Sequence, residues 1–337
     1  MINKKVSFIV PVYHIGAIAL SQCVESLLAQ TYNNIEILLI DDGSTVVDAN
    51  KCDELQELDS RIIVAHCENK GVSQARNKGI DMANGDILIF VDPDDNVNEL
   101  LAERCVQVYN IDKFDVLLYK STFSSEIDMK ATQPEVISKE QLKLIIYKVI
   151  AVIDGEFDFG ACWGKAFSSD FLEFNRLRFI PDIKKAQDRL FMYDSYLEAQ
   201  KVLALDFIGY NYNSNNDGSV SRKFNPNIIN ILNATALEFQ KRVQNSEEIL
   251  YRQALNAMHV RFIYEILQLY LLHKNNTLSF SNRKNYIKKI VNQNIYRYSI
   301  SKVKLRDLTT KSSIVVLLLR LHCYGALTFF GYYYLNK

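Results

Sequence analysis

Three carboxylates stand within four residues at Asp92, Asp94 and Asp95, directly after the apolar run 87–91. Like charges this close repel one another, so the cluster lowers stability unless a cation neutralises it. A hard divalent ion takes oxygen ligands of this kind and keeps room for a diphosphate. The cluster therefore predicts a cation site at the end of a strand. The alternative is a solvated acidic helix N-terminus, where the helix dipole favours Asp.

Two further polar segments also follow apolar runs. The segment Asp41–Ser44 reads Asp-Asp-Gly-Ser and follows the run 35–40. A carboxylate there can accept a hydrogen bond from a base N–H or a ribose hydroxyl. An Asx-type turn in which Ser44 caps the next helix explains the same residues. Tyr13 closes the first apolar run, where it is either a plain aromatic residue at a strand end or a stacking surface for a nucleobase.

The segment from Gly71 to Gly79 opens a predicted helix. A glycine turn followed by a helix N-terminus suits phosphate oxygens. Arg76 and Lys78 could add charged donors to such a site. The segment matches neither the Gly-x-Gly-x-x-Gly of dinucleotide-binding proteins nor the Gly-Lys-Ser/Thr of phosphate-binding loops. Dinucleotide reduction and ATP hydrolysis therefore lose support.

The elements that must position these groups alternate along the first 120 residues. Apolar runs predict strands at 6–12, 35–40, 61–66, 86–91 and 114–119, and helical spacing predicts helices at 17–30, 48–58, 72–83 and 97–109. This alternation predicts βαβ units and a parallel sheet covered by helices on both faces. Ligands bind beyond the carboxyl ends of such strands, so the polar segments should converge on one crevice.

These motifs, in this order and spacing, resemble the family-2 glycosyltransferases with the GT-A fold. The segments that carry the resemblance are Pro11–Tyr13, Gln30–Tyr32, Asp41–Thr45, Gly71–Asn77 and Asp92–Asp95. The resemblance is strong over residues 5–110. It is weaker over 155–222, where the similar segments are Cys162–Lys165, Gln187–Phe191 and Tyr210–Ser221. The fold it implies is an α/β, Rossmann-like, mostly parallel sheet followed by a smaller helical region.

For the nucleoside, the resemblance implies contacts from five matched residues. Tyr13 stacks on the uracil of a UDP-sugar, and Pro11 belongs to the same binding segment. Asp42 accepts a hydrogen bond from the base N3–H, and Asp41 assists near the base or the ribose. Arg76 meets the base or the diphosphate.

For the metal and the acceptor, the resemblance implies further roles. Asp92 and Asp94 act as a D-x-D motif toward the ribose and a Mn²⁺ or Mg²⁺ ion, and Asp95 flanks the sugar. Either Asp94 or Asp95 is the metal ligand. Trp163 and Lys165 match a tryptophan–lysine segment and are assigned to the acceptor. A core position is the alternative for Trp163.

Asp188 matches the general base of the family, although Gln187 stands where the family usually has Glu. Transfer with inversion requires the acceptor hydroxyl to lose a proton, so a carboxylate must lie within hydrogen-bonding reach of it. The alternative is that Asp188 only pairs with Arg189 or Lys185 on a helix surface.

Charge divides the chain unevenly, although its formal total is zero. Residues 241–337 hold 16 Lys and Arg against 4 Asp and Glu. The apolar stretch 313–335 is almost long enough to span a bilayer, but Arg320 and His322 at its middle argue against spanning. An interfacial helix on anionic headgroups and a helix docked on protein are the two alternatives. No nucleic-acid-binding motif accompanies the charge, so a nucleic-acid partner is not expected.

Two domains are expected, and the 48% of apolar residues supply ample core, which excludes a disordered or collagen-like chain. The catalytic GT-A domain covers 1–225, with a nucleotide-sugar half at about 1–120 and an acceptor half at about 121–225. A basic helical domain covers 226–337. Six isolated cysteines and the absence of a visible signal peptide predict a cytoplasmic protein, on the inner membrane face if the tail binds lipid.

The expected activity is an inverting transfer of one hexosyl or N-acetylhexosaminyl group from a UDP-sugar to a growing glycan. That glycan is expected to be lipid-linked, in capsule, exopolysaccharide or O-antigen synthesis. One alternative is a protein or teichoic-acid acceptor. Another is a non-catalytic module that binds sugar nucleotides. A processive synthase is not expected, because no cluster of membrane spans follows the catalytic domain. Self-association into a homo-oligomer is left open.

Overall fold

The computed structural model describes residues 3–122, 133–153, 157–213, 223–244, 246–305 and 308–334. It contains two compact units. The first comprises residues 1–146 and 154–215, and the second comprises residues 147–153 and 216–337. The domain boundary expected at residue 225 stays a prediction.

The first unit is built on a mixed sheet. Its strands are β1 (Val6–Val12), β2 (Ile35–Asp41), β3 (Ile62–His66), β4 (Ile87–Phe90), β5 (Asn96–Val97), β6 (Val116–Thr122), β7 (Glu135–Val136), β8 (Lys165–Ser168) and β9 (Val202–Asn211). Their order in the sheet is β3-β2-β1-β4-β8-β6-β9-β5, and β7 pairs with β9. Strands β1 to β4 are parallel to one another, whereas β8 runs antiparallel to both β4 and β6.

Helices cover both faces of this sheet. The helices of this unit are α1 (Ala17–Leu28), α2 (Val46–Leu58), α3 (Val72–Met82), α4 (Leu101–Ile111), α6 (Ser169–Phe174) and α7 (Gln187–Glu198), and α5 (Lys139–Ala151) belongs to it up to residue 146. Alternate residues of β1, such as Phe8 and Val10, join the core that includes Leu20 and Val24 of α1. On the other face, Ile9 meets Gly79 of α3, where an added Cβ would lie 2.3 Å from the Ile9 Cγ2 atom. The predicted α/β class, with a central sheet flanked by helices, is confirmed, but the sheet has as many antiparallel strand pairs as parallel ones.

The helix predicted to begin at Val97 begins instead at Leu101. Asn96 and Val97 form β5, which pairs with Asn211 and Tyr210 of β9. The partner strand lies more than 100 residues away in sequence, so local spacing gave no sign of this pairing.

The second unit is helical. Its helices are α8 (Ile228–Gln244), α9 (Ile249–Ile266), which continues as a π-helical turn over Leu267–Leu271, α10 (Phe280–Val291), α11 (Asn294–Lys302), α12 (Thr310–Arg320) and α13 (Tyr324–Tyr334). The apolar stretch 313–335 is broken between α12 and α13, where His322 has φ of +55°. Arg320 donates to the carbonyl oxygens of Ile300 and Val303. Within the described ranges, no helix is both long and apolar enough to cross a bilayer.

Candidate functional site

The polar segments predicted to converge leave the sheet at one edge. β1 lies between β2 and β4 and is parallel to both, and Val12 is in register with Asp41. Tyr13, the Asp41–Ser44 segment and the acids after β4 therefore follow three adjacent strands. The Tyr13 side chain is 49% exposed, so its ring is accessible at this edge.

Asp41 is buried within a network that the sequence reasoning did not include. One oxygen accepts the Ser44 N–H at 2.9 Å, and the other lies 2.8 Å from Nδ1 of His66. The second ring nitrogen of His66 lies 3.0 Å from Asp53. Burial acts to raise the pKa of Asp41, but the hydrogen bonds from His66 and Ser44 outweigh it and lower the pKa. His66 ends β3, and its polar character at a strand end was the available sequence signal.

Asp42 anchors the loop that enters α3. Its carboxylate is 4% exposed, and its two oxygens accept the backbone N–H groups of Lys70 and Gly71, both at 2.8 Å. Gly43 has φ of +70°, and an added Cβ would lie 2.7 Å from the backbone nitrogen of Asn69. Glycine is required there by both conformation and space. The N-cap of α2 is Thr45 rather than Ser44, so the alternative in which Ser44 caps this helix is wrong.

Arg76 extends from α3 to the acids after β4. Its Nη2 donates to Asp92 Oδ1 at 2.9 Å, and its guanidinium lies 5.3 Å from the centre of the Phe179 ring. The side chain is buried, yet Nε and Nη1 have no hydrogen-bond partner among the described protein atoms. A buried guanidinium with unused donors is suited to an anionic ligand, because unpaired buried donors are costly.

The acids after β4 occupy different environments. Asp92 and Asp94 are half-buried, whereas Asp95 is 1% exposed. Asp95 accepts the Tyr210 hydroxyl at 2.6 Å and the Asn213 N–H at 2.8 Å. Burial, and secondarily the charges of Asp92 and Asp94, raises its pKa to about 7.

The Asp95 network continues into the predicted acceptor segment. The Tyr210 hydroxyl also accepts the backbone N–H of Asp92 at 3.1 Å. Trp163 stacks on Tyr210 with ring centres 4.9 Å apart and on Tyr212 at 5.7 Å. Trp163 is partly buried and packs against the core, and its assignment to the acceptor stays a prediction. The rest of the Tyr210–Ser221 segment beyond residue 213 lies outside the described residues.

The structure does not bring Lys165 to the surface of the site. Its side chain is fully buried, and Nζ donates to the carbonyl oxygens of Phe157, Asp158 and Trp163, each at 3.0 Å. Burial lowers its pKa to about 8. All three ammonium protons hold the segment 157–163 in place, which makes Lys165 a positioning residue rather than an acceptor contact.

Asp188 lies in the first turn of α7 and is half-buried. It accepts the backbone N–H of Arg189 at 2.9 Å. Burial raises its pKa, while the positive charges of Arg76 and Arg189 oppose that rise. Asp188 is thus within electrostatic range of both Arg76 and Asp92, although more than 90 residues separate it from either. A carboxylate with a raised pKa is suited to accepting a proton.

A metal ion would depend on few protein ligands. Within the described part of the chain, no group of three or more His, Cys, Asp and Glu side chains could hold a metal ion. The Asp95 carboxylate is buried and accepts hydrogen bonds from Tyr210 and Asn213, so a metal ion would have to share it with them, and its assignment as a metal ligand stays a prediction. Asp94 and Asp92 fit a Mg²⁺-type site, in which one or two carboxylates share the ion with phosphate oxygens and water.

Comparison with known proteins agrees with this fold. Residues 7–172 match the family model described as Glycosyl transferase family 2. The chain belongs to glycosyl transferase family 2 through this segment. The glycosyltransferase GlyG of Streptococcus pneumoniae is 43% identical over 117 residues, which are 34% of this chain and 38% of that relative. The glycosyltransferase EpsJ of Bacillus subtilis is 30% identical over 237 residues, which are 66% of this chain and 64% of that relative.

This family-2 chain therefore spans less than two thirds of the length of either relative. Its fold also matches the solved structure of S. aureus TarS 1-349 in complex with UDP-GlcNAc. The TM-score is 0.62 at 19% identity, and the match covers 97% of this chain and 89% of the other. At this identity the likeness establishes the GT-A fold.

Proposed function

We propose that this chain transfers one sugar from a UDP-sugar to a hydroxyl of a growing glycan, with inversion at the anomeric carbon. The observation that carries the proposal is the meeting of three groups from separate elements. Arg76 of α3 is hydrogen-bonded to Asp92, and Asp188 of α7 interacts electrostatically with both. Family membership supports the reaction type. A relative of the same fold was solved with UDP-GlcNAc, which supports a hexosyl or N-acetylhexosaminyl donor.

The donor would lie along the edge formed by β1, β2 and β4. The exposed Tyr13 ring would stack on uracil. The Asp42 oxygens each keep a second lone pair beside the bonds to Lys70 and Gly71, so one can accept the base N3–H. The unused donors of Arg76 would meet the diphosphate.

A Mn²⁺ or Mg²⁺ ion would be held by Asp94, with Asp92 beside it, and by the diphosphate oxygens. When bound, such an ion neutralises the charge that develops on the leaving nucleotide. Asp95 would act indirectly by fixing the loop through Tyr210 and Asn213.

Asp188 would accept the proton of the acceptor hydroxyl as that oxygen attacks the anomeric carbon. The raised pKa of Asp188 makes it a stronger base than an exposed Asp. We propose that the acceptor is the lipid-linked glycan of a bacterial surface polysaccharide, which would bring the protein to the inner membrane face.

Calorimetry with UDP tests the donor site. UDP should bind in Mn²⁺, and the affinity should fall by about tenfold or more in EDTA or in Asp94→Asn, because the carboxylate and diphosphate share the ion. Glu57→Gln, which removes an exposed carboxylate of α2, should bind as the wild type does. A donor panel read out by UDP release then identifies the sugar. The proposal is refuted if UDP does not bind, or binds equally well in Mn²⁺ and in EDTA.

A further inference from the structure

The helical unit contains a cavity of about 840 Å³ between α8, α9 and α11. Binding sites for small molecules commonly measure about 300–1,000 Å³, so this cavity is large enough for an organic ligand rather than a single ion. None of the residues assigned to the donor or to catalysis lines it. Its described lining includes cationic, amide and aromatic side chains and no acidic one.

One wall of the cavity contains a chain of hydrogen-bonded polar groups, of which His259 and Ser299 are buried. Nδ1 of His259 lies 2.9 Å from the Ser299 hydroxyl oxygen, and that hydroxyl donates to Asn256 Oδ1 at 3.1 Å. A hydroxyl has one proton to donate, so Ser299 must accept from the Nδ1–H of His259. Burial lowers the pKa of His259 to about 4, which keeps the ring neutral near pH 7.

This arrangement fixes the remaining ring nitrogen as an acceptor. With the proton on Nδ1, Nε2 of His259 carries a lone pair. Nε2 is buried and has no hydrogen-bond partner among the described protein atoms. An unpaired buried acceptor is costly, and a ligand would remove that cost only if a donor such as a hydroxyl reached Nε2. A phosphate or carboxylate oxygen would not, because it also presents lone pairs.

The opening of the cavity favours anionic groups of a ligand, whereas the buried His259 favours a hydrogen-bond donor. The opening is lined by Arg252, Lys302 and Lys304, and all three residues are exposed. Three cations without a lining acid attract an anionic group. Tyr298 is 59% exposed in the same lining. Its ring offers the flat apolar face that packs against the C–H face of a pyranose.

Amide side chains complete the lining, with Gln240, Gln244, Gln253 and Asn294 around the cavity. An amide both donates and accepts, so it can pair with neighbouring hydroxyls of one sugar. The lining as a whole therefore suits a molecule that has many hydroxyls and also carries negative charge.

We propose that this cavity is a second carbohydrate site, which binds a segment of an acidic glycan whose sugars or polyols carry phosphate or carboxylate groups. Hydroxyls pair with His259 Nε2 and the amides, and the anionic groups pair with Arg252, Lys302 and Lys304. The choice of a glycan among hydroxylated anions rests on the proposed function.

Direct binding to the full chain tests the site, with UDP saturating the donor site throughout. The probes are an oligogalacturonide, poly(ribitol phosphate), a neutral maltooligosaccharide, inorganic phosphate and phosphatidylglycerol vesicles. At least one of the two acidic chains should bind more tightly than the neutral one and than phosphate. The double variant Lys302→Ala/Lys304→Ala should weaken that binding by about tenfold or more.

The matched control is Lys288→Ala/Lys289→Ala, which removes the same charge from exposed positions of α10 that do not line the cavity. It should change the affinity by less than about twofold. His259→Gln keeps a polar side chain and should weaken binding while the thermal midpoint shows that the unit folds.

The site is overturned if neither acidic chain binds, if the two double lysine variants weaken binding equally, or if only the vesicles bind. Failure of UDP binding with intact glycan binding would refute the proposed function and leave this site standing.

Discussion

Removing one hydroxyl group tests the network that holds the acids after β4. Tyr210→Phe keeps the ring that stacks on Trp163 and deletes the bonds to the Asp95 carboxylate at 2.6 Å and the Asp92 N–H at 3.1 Å. A bond to a charged group contributes about 1.5–3 kcal/mol and a neutral one about 1 kcal/mol. We therefore expect the free energy of unfolding to fall by about 3 kcal/mol at pH 8, where Asp95 is mostly ionised.

The size of this loss should depend on pH. The pKa of Asp95 is raised to about 7, so the native protein holds this proton below pH 7. Below pH 7 the Tyr210 hydroxyl bonds to a neutral carboxyl group, so the loss of stability in Tyr210→Phe should shrink to about 1–2 kcal/mol. Deleting the hydroxyl removes a bond that lowers the pKa of Asp95, so the variant should lose stability more steeply than the wild type as pH rises through 7.

Tyr196→Phe is the matched control, because the Tyr196 hydroxyl is equally buried and has no hydrogen-bond partner among the described atoms. Its removal should change stability by no more than about 0.5 kcal/mol. Urea unfolding followed by the fluorescence of Trp163, the only tryptophan of the chain, reports on this unit. The reasoning is refuted if Tyr210→Phe loses no more stability than Tyr196→Phe, or if its loss is the same at pH 6 and pH 8.

Three further changes test the base, the packing of α3 and the network at β3. Asp188→Asn should leave UDP affinity nearly intact and lower turnover by roughly 10² or more, whereas Glu198→Gln on the same helix should change neither. Wild-type-like turnover of Asp188→Asn would remove Asp188 from the mechanism. Gly79→Ala should lower the free energy of unfolding by about 1–3 kcal/mol, because the new Cβ would lie 2.3 Å from Ile9. Urea unfolding measures this loss, and an unchanged urea midpoint would contradict this packing. The pKa of His66 is raised by its carboxylate partners, so the stability that its charge contributes is complete below about pH 6.5 and is lost as pH rises through the folded pKa. The difference in stability between the wild type and His66→Gln should therefore narrow as pH rises from about 6.5 through the folded pKa. A difference that does not change with pH would contradict the network.

Apart from β5 and the start of α4, the sequence by itself determined the strands and helices of the first 120 residues. It also determined the edge of the sheet where polar groups gather. Strands buried on both faces are continuous apolar runs, as in β1 and β2, and this signal is local. The polar residues after those runs must then lie at the carboxyl edge. The membership of the acids and of Asp188 in one predicted site came from linked motifs rather than from any single residue.

Tertiary structure alone decided how each of those side chains is used. Asp94 and Asp95 are neighbours in sequence with the same side chain, but only Asp95 is buried under the Tyr210 hydroxyl, which comes from a strand 115 residues away. Lys165 carries an ordinary charge in the sequence, and only the fold surrounds its ammonium with three carbonyls. Burial and hydrogen bonding depend on contacts between distant segments, so no local pattern encodes them.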